Sequence, residues 1–237
     1  MSKEEREDAI LIKYNNKKVD LETELKKNGT LQIYDINTLE GNRIYERGLL
    51  YLFIYVTNNI LEKDTKVIVK HSIDKGIFCK KDKDVLEIKK QMKEIVSKNI
   101  PFTKMDTTKY EAIEYFKSIK REDKAKTLFY DTSKYVSLYK LDENYNYIVG
   151  DLPSSTGVLK YFDLSLIKDK GIVVRFPSIY DNKKVKRYTH HTNYFNTLEE
   201  YSAWGNNLNI NNIGELNDYI TSNKPADIIQ LSEIMQD

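Results

Sequence analysis

The sequence predicts an α+β fold: a mixed, mainly antiparallel sheet with two to three packed helices, preceded by a few strands and followed by a helical tail. Three observations lead there. Short strand-like runs separated by turn residues open the chain. Two helix-length segments with capping signals and one apolar face follow, beside a helix apolar on nearly every side. Strand-like runs then return at 136–139, 145–149, 158–164 and 172–176.

Residues 10–14 (ILIKY) and 17–21 (KKVDL) flank Asn15-Asn16 and read as a hairpin. A third strand at 30–36 follows the turn signal Asn28-Gly29. Three short strands need further elements to cover them. Residues 41–61 change period, with Leu49, Leu50, Leu52, Phe53, Val56, Ile60 and Leu61 surrounding a buried helix. Residues 67–69 predict a short strand, and 71–79 a loop returning to another. Asp84 with Glu87 caps a helix whose apolar face is Val85, Ile88, Met92, Ile95 and Val96, ending before Pro101. Thr108 and Glu111 repeat the capping spacing ahead of Ala112, Ile113, Phe116 and Ile119. Beyond Pro177 the pattern is polar and helical, with one helix running through Trp204, another from Gly214 to Ile220, and Pro225 opening a last one. The predicted organisation is therefore a β segment (1–40), a central domain (41–176) and a helical tail (177–237).

Composition bounds the function. With 237 residues and 40% hydrophobic content the chain can bury a substantial core. The single Cys79 excludes an internal disulfide and any multi-cysteine zinc site, so a reducing, cytoplasmic setting is expected. No apolar run approaches membrane-spanning length, and the charged start lacks a signal-peptide core, so no membrane is expected as a partner. The net charge of +2 hides an asymmetry. Residues 63–126 carry 18 Lys/Arg against 11 Asp/Glu, whereas the tail from Tyr188 is acidic. Such blocks read as a polyanion site, an internal docking face or solvated helix surfaces. The tail is expected to fold back on the rest through Trp204, Leu208, Leu216, Ile220 and Ile228.

Residues 145–164 read as a hairpin with Pro153-Ser154-Ser155-Thr156-Gly157 at its bend, where hydroxyls satisfy the turn or meet a ligand. His190-His191 read as surface loop, His71 near Cys79 as structural, and Trp204 with Tyr201 as core of the tail, because none gathers enough ligands for a closed metal site.

In its order of motifs the segment 41–175 resembles the second N-terminal domain of threonyl-tRNA synthetases, shared with alanyl-tRNA synthetase-like editing proteins. The pieces are the buried helix after Gly41, the Gly76-Ile77-Phe78 turn, residues 89–102, Tyr110 to Phe116, Val136 to Tyr139, and the Ser155 to Leu164 run. Strands 10–36 resemble the second half of the ubiquitin-like TGS module. The resemblance implies an editing-domain-like fold whose active members hold a His-x-x-x-His pair on the buried helix and a Cys-x-x-x-His pair before the Thr-Gly turn. Arg47, Tyr51, Ile148 and Leu152 stand at those places. None of these side chains supplies a zinc ligand of that kind, so hydrolysis by the family mechanism is not expected and no metal site is assigned.

Tyr45 to Leu49, His71-Ser72, Lys75-Gly76, Thr156-Gly157, Lys160-Tyr161-Phe162, Arg175-Phe176-Pro177 and Trp204-Gly205 further resemble the front half of bacterial nucleoside kinases of the uridine kinase type. No phosphate-binding G-x-x-x-x-G-K-[ST] occurs. That branch implies a non-catalytic ligand-binding or regulatory module with its own kinase domain as partner. It needs no cofactor in this chain, and ATP and magnesium only in the kinase domain. Arg47, Tyr51, His71, Lys75, Ser155, Thr156, Lys160 and Arg175 would then offer cationic and hydroxyl donors to a small anion such as a nucleotide. The alternative is a tRNA- or RNA-binding module, or a trans-editing aminoacyl-tRNA hydrolase of the threonyl-tRNA synthetase kind; no residue is assigned a catalytic role.

Overall fold

A computed structural model describes residues 9–19, 23–61, 67–73, 76–80, 84–167 and 170–222, with positions 226, 229, 230 and 233; at 59–61 and 80 only the backbone is described. The fold is α+β, with three antiparallel sheets and six helices among these residues. Packing divides the chain into two compact units, one of residues 1–104 and 139–191, the other of 105–138 and 192–237. Among the described residues no helix is long and apolar enough to cross a membrane.

In the first unit, β1 (Leu11–Tyr14) and β2 (Lys17–Val19) form the predicted hairpin, since Asn15 and Asn16 both adopt the left-handed backbone that a two-residue turn requires. β3 (Leu31–Tyr34) pairs with β1 on its other side. Helix α1 (Leu39–Tyr55) starts at Thr38, whose hydroxyl accepts from Gly41 N–H at 3.1 Å. It continues as a π turn, Val56–Leu61. There the Thr57 hydroxyl donates back to the Phe53 and Ile54 carbonyls, competing with the regular helix ladder. Ile44, Leu49, Leu52, Phe53 and Val56 are wholly buried, as a helix apolar on all sides must be.

A four-stranded sheet of order β4-β5-β10-β9 covers this core, made of β4 (Ile68–Ile73), β5 (Gly76–Lys80), β9 (Asp163–Ile167) and β10 (Gly171–Arg175). His71 thus lies in a strand and not in the expected loop, because it pairs with Phe78 across the ladder and stacks on its ring at 5.3 Å. Cys79 is fully buried, and burial pushes its thiol up to about 12. Helix α2 (Val85–Lys98) is capped by Asp84 and buries Ile88, Met92 and Ile95, as its spacing predicts. It ends at left-handed Asn99, two residues before Pro101.

β6 (Thr103–Thr108), β7 (Tyr135–Leu141) and β8 (Asn144–Tyr147) make the third sheet. In the second unit, α3 (Lys109–Ser118) opens with the predicted capping box of Thr108 and Glu111 and buries Ala112 and Phe116. Ile119, expected on that apolar stripe, is exposed. α4 (Glu122–Phe129), α5 (Thr192–Asn207) and α6 (Ile213–Thr221) complete this unit. α6 lies on α4, joined by Lys126 to Asp218 at 2.6 Å and by the Tyr130 hydroxyl to the same carboxylate. Positions 226, 229, 230 and 233 are helical, as expected beyond Pro225; Pro225 itself and the contact at Ile228 fall outside the described residues.

Candidate functional site

Residues 145–164 do not form the expected hairpin. β8 and β9 belong to different sheets, and residues 148–162 run between them as a loop with one 3-10 turn, Thr156–Val158. The apolar residues that suggested a second hairpin strand are buried by packing instead: Leu159 is inaccessible, and Tyr161 N–H is taken by the Tyr45 hydroxyl at 2.7 Å.

This loop is the hub of the first unit. Ser154 N–H donates to the Ile10 carbonyl, and Lys13 of β1 reaches Asp151 at 2.6 Å. Pro153 lies against Gly48 of α1, where an added Cβ would come within 2.6 Å of the proline ring, so only glycine allows helix and loop this close. At the other end, Thr156 locks the loop to the end of α2. Its hydroxyl donates to the Ile95 carbonyl and accepts from Ile100 N–H, both at 2.9 Å, while its own N–H donates to Ile100. Ser155 donates to the Asn99 side chain at 2.6 Å. Thr156 is fully buried and its hydroxyl is spent, so it holds the chain in place and has no donor left for a ligand.

The face of α1 toward β7, β8 and the start of this loop carries Arg47, Tyr51 and Tyr55, four residues apart and hence on one side of the helix. Arg47 pairs with Glu40 at 3.1 Å and donates to the Val149 carbonyl at 3.4 Å. Its guanidinium fills the space beside Gly150, whose positive φ of 97° and lack of a Cβ admit it. The Tyr51 hydroxyl lies 2.9 Å from the carbonyls of both Tyr139 and Asn144, and its ring packs 5.8 Å from Phe102. Tyr55 donates to Asp142, and burial followed by that carboxylate pushes its phenol up to about 12. Leu152 is inaccessible and Ile148 half-buried in the same core. The four positions where the sequence resemblance expects His, His, Cys and His thus hold two hydrogen-bonded anchors and two apolar side chains. Chemically they can position backbone and exclude water; they offer no base of neutral pKa.

The remaining candidates separate by their contacts. Lys160 borders a niche of about 20 Å³ with Tyr45, Tyr161 and Lys183, room for one water-sized body and far too small for a nucleotide. Arg175 is buried on β10, where it pairs with its register partner Asp163 and donates to the Lys186 carbonyl. Lys89 of α2 reaches the same Asp163 at 2.6 Å. Burial raises the Asp163 carboxyl, but the Lys89 hydrogen bond, the Leu164 N–H and the two cations outweigh it and hold it below its ordinary range. His71 stands on β4 against Phe78, and Lys75 lies outside the described residues. His190 and His191 are exposed, the former hydrogen-bonded to Tyr188 at 2.9 Å.

Three features escaped the sequence reading. Tyr45 pins the loop by donating to the Tyr161 carbonyl while accepting its N–H. Asp163 joins two cations, and Asp181 is buried in a polar turn. The run Lys183-Lys184-Val185-Lys186-Arg187 was visible as a charge cluster, but its anchoring was not.

No family model matches the sequence. The chain is similar to threonine–tRNA ligase of Syntrophotalea carbinolica, 23% identical over 209 residues, which cover 81% of this chain and 32% of that protein. It is similar to threonine–tRNA ligase 1 of Bacillus subtilis, 29% identical over 164 residues, 66% of this chain and 25% of the ligase. The ligase of Chloroherpeton thalassium is 29% identical over 172 residues, 68% and 26% of the two chains. The chain thus spans less than a third of the length of these relatives. No nucleoside kinase is among them, which overturns the expected kinase branch and its kinase-domain partner. The short motifs that suggested it have a packing role in this chain, since Tyr45, Gly48, Leu49 and Thr156 are buried. The likeness that holds is to threonine–tRNA ligases.

Proposed function

We propose that the chain is a tRNA-binding module of the threonine–tRNA ligase kind that does not hydrolyse aminoacyl-tRNA. The likeness to threonine–tRNA ligases over two thirds to four fifths of the chain supports the partner. The observation that carries the rest is the Tyr51 phenol, committed to two backbone carbonyls at the centre of the position where hydrolytic members place metal or water-activating groups. A phenol held this way neither ligates a metal nor takes a proton from water near neutral pH.

Fluorescence anisotropy with tRNA tests the partner. Binding is expected at about 50 mM salt and should fall steeply by about 200 mM, because neutralising phosphates releases counterions. Incubation with aminoacyl-tRNA should release amino acid no faster than buffer does. Absence of tRNA binding at the lower salt removes the reading, and enzyme-dependent deacylation removes its non-hydrolytic half.

A further inference from the structure

The first unit carries 30 Lys/Arg against 23 Asp/Glu, a net of +7, and four of those cations fall within residues 183–187. That segment is held by buried polar groups. The Asp181 carboxylate, its side chain only 1% exposed, accepts from the Ser178 N–H at 3.1 Å and hydroxyl at 2.7 Å and pairs with the Lys186 ammonium. Arg175, itself 7% exposed and paired with Asp163, donates to the Lys186 carbonyl. Lys183 rests 6.0 Å over the Tyr161 ring and shares the niche of Lys160. Lys160, Lys184 and Arg187 are exposed, and Tyr180, in the same short segment of chain as Lys184 and Arg187, is 87% exposed.

A run of like charges is ordinarily a solvated, mobile stretch, since ordering it adds repulsion to lost entropy. Here the backbone beneath the charges is anchored, the Lys186 carbonyl by Arg175 and the Lys184 N–H by the Asp181 carbonyl, so the stretch from which the cations project is set before any partner arrives. Cations on an anchored segment that also carries an exposed aromatic ring suit a phosphate backbone carrying unpaired bases better than a smooth acidic surface.

We propose that residues 178–187 together with Lys160 form a preorganised cationic ridge that takes the phosphate backbone of RNA. The proposal rests on the tRNA-binding reading and assigns its contact surface. Lys160, Lys183, Lys184 and Arg187 supply the charge. Asp163, Arg175 and Asp181 position them and touch no phosphate.

The test compares two variants of the full chain that lose the same charge in different places. Lys183→Ala/Lys184→Ala/Arg187→Ala removes the ridge. Lys90→Ala/Lys93→Ala/Lys98→Ala removes three cations from α2, two of which line an open groove of about 530 Å³ on its outer face. With tRNA at about 50 to 200 mM salt, the ridge variant should bind on the order of tenfold or more weakly, and its slope of log affinity against log salt should fall by about 2 to 3. The α2 variant should stay within about threefold of wild type. Lys184→Glu, at an exposed position, repeats the test should the triple variant melt early; it too should weaken binding. Equal losses in the two triple variants, or an unchanged slope in the ridge variant, overturn the proposal while leaving tRNA binding standing. A wild-type chain that binds no tRNA overturns both. Binding to phosphatidylserine vesicles without binding to tRNA would also overturn the RNA assignment.

Discussion

The two compact units are stabilised by different physics. The first has a continuous apolar core running from Ile10 to Val174, and the polar groups on α1 that face it are hydrogen-bonded. The second buries few large side chains, Phe116, Leu128 and Phe195 among them, and leaves Tyr110 and Phe129 more than 60% exposed. Its charge is also opposite, 8 Lys/Arg against 13 Asp/Glu, a net of −5 against +7. Its helices rely on caps and ion pairs such as Arg121 with Asp123 and Lys126 with Asp218. Apolar burial is indifferent to salt and proton activity, whereas exposed charge pairs answer to both. The first unit should therefore be disturbed by steric and hydrogen-bond changes, the second by solution conditions.

The largest expected effect tests the first half of that contrast. Tyr51→Phe keeps the ring and removes the hydroxyl, so the Tyr139 and Asn144 carbonyls lose a donor in a buried place. The cost should be about 2 kcal/mol, or roughly 4–8 °C in Tm at this chain length. The loss should be the same at low and high salt in calorimetry or circular dichroism melts. A loss that shrinks with salt would mean the site is held electrostatically after all.

A smaller effect of opposite sign is expected at Lys124. Burial, then the neighbouring Arg121 guanidinium, lowers its ammonium to about 8, and Asp123 only partly offsets this. Its side chain lies 5.6 Å over Phe116. At pH 7 the lysine is charged in both folded and unfolded chains, and the folded state bears the cost of holding the charge. Above about pH 8 the folded chain sheds its proton first, the unfolded chain binds more, and stability from this group rises until about pH 10.5. Lys124→Met should therefore raise Tm at pH 7, on the order of 2–4 °C. The gap to wild type should close as pH rises through that window. A gap constant with pH would assign the gain to packing alone.

The smallest effect concerns the α4–α6 contact. Asp218, held below its ordinary range by the Lys126 and Tyr130 hydrogen bonds, is solvent-accessible. Asp218→Asn should lower the melting temperature slightly at low salt. At about 1 M salt, where screening reaches only about 3 Å, it should have no effect. A drop that persists there would show that α6 is seated by its apolar residues and that the charges merely accompany them.

Much of this molecule was determined by local sequence. Asn15-Asn16 dictated the first hairpin because both residues tolerate a left-handed backbone. Asp84 and the Thr108 and Glu111 pair set two helix starts because their side chains can satisfy the first free N–H groups. That Arg47, Tyr51, Ile148 and Leu152 do not make a zinc-ligand set was also legible, since it depends only on which side chains stand there. Tertiary structure decided the rest. Residues 148–162 carry an apolar pattern that a strand and a buried loop share, and only the contacts with Gly48, Ile10 and Ile95 choose the loop. Thr156 reads as a ligand donor until its hydroxyl is seen bonded on both sides. Residues 183–187 show in the sequence only as a cluster of cations; that Arg175, buried on β10, donates to the Lys186 carbonyl and that the buried Asp181 pairs with the Lys186 ammonium is decided by the fold. Burial and hydrogen-bond satisfaction depend on residues far apart in the chain, and no local window of sequence contains them.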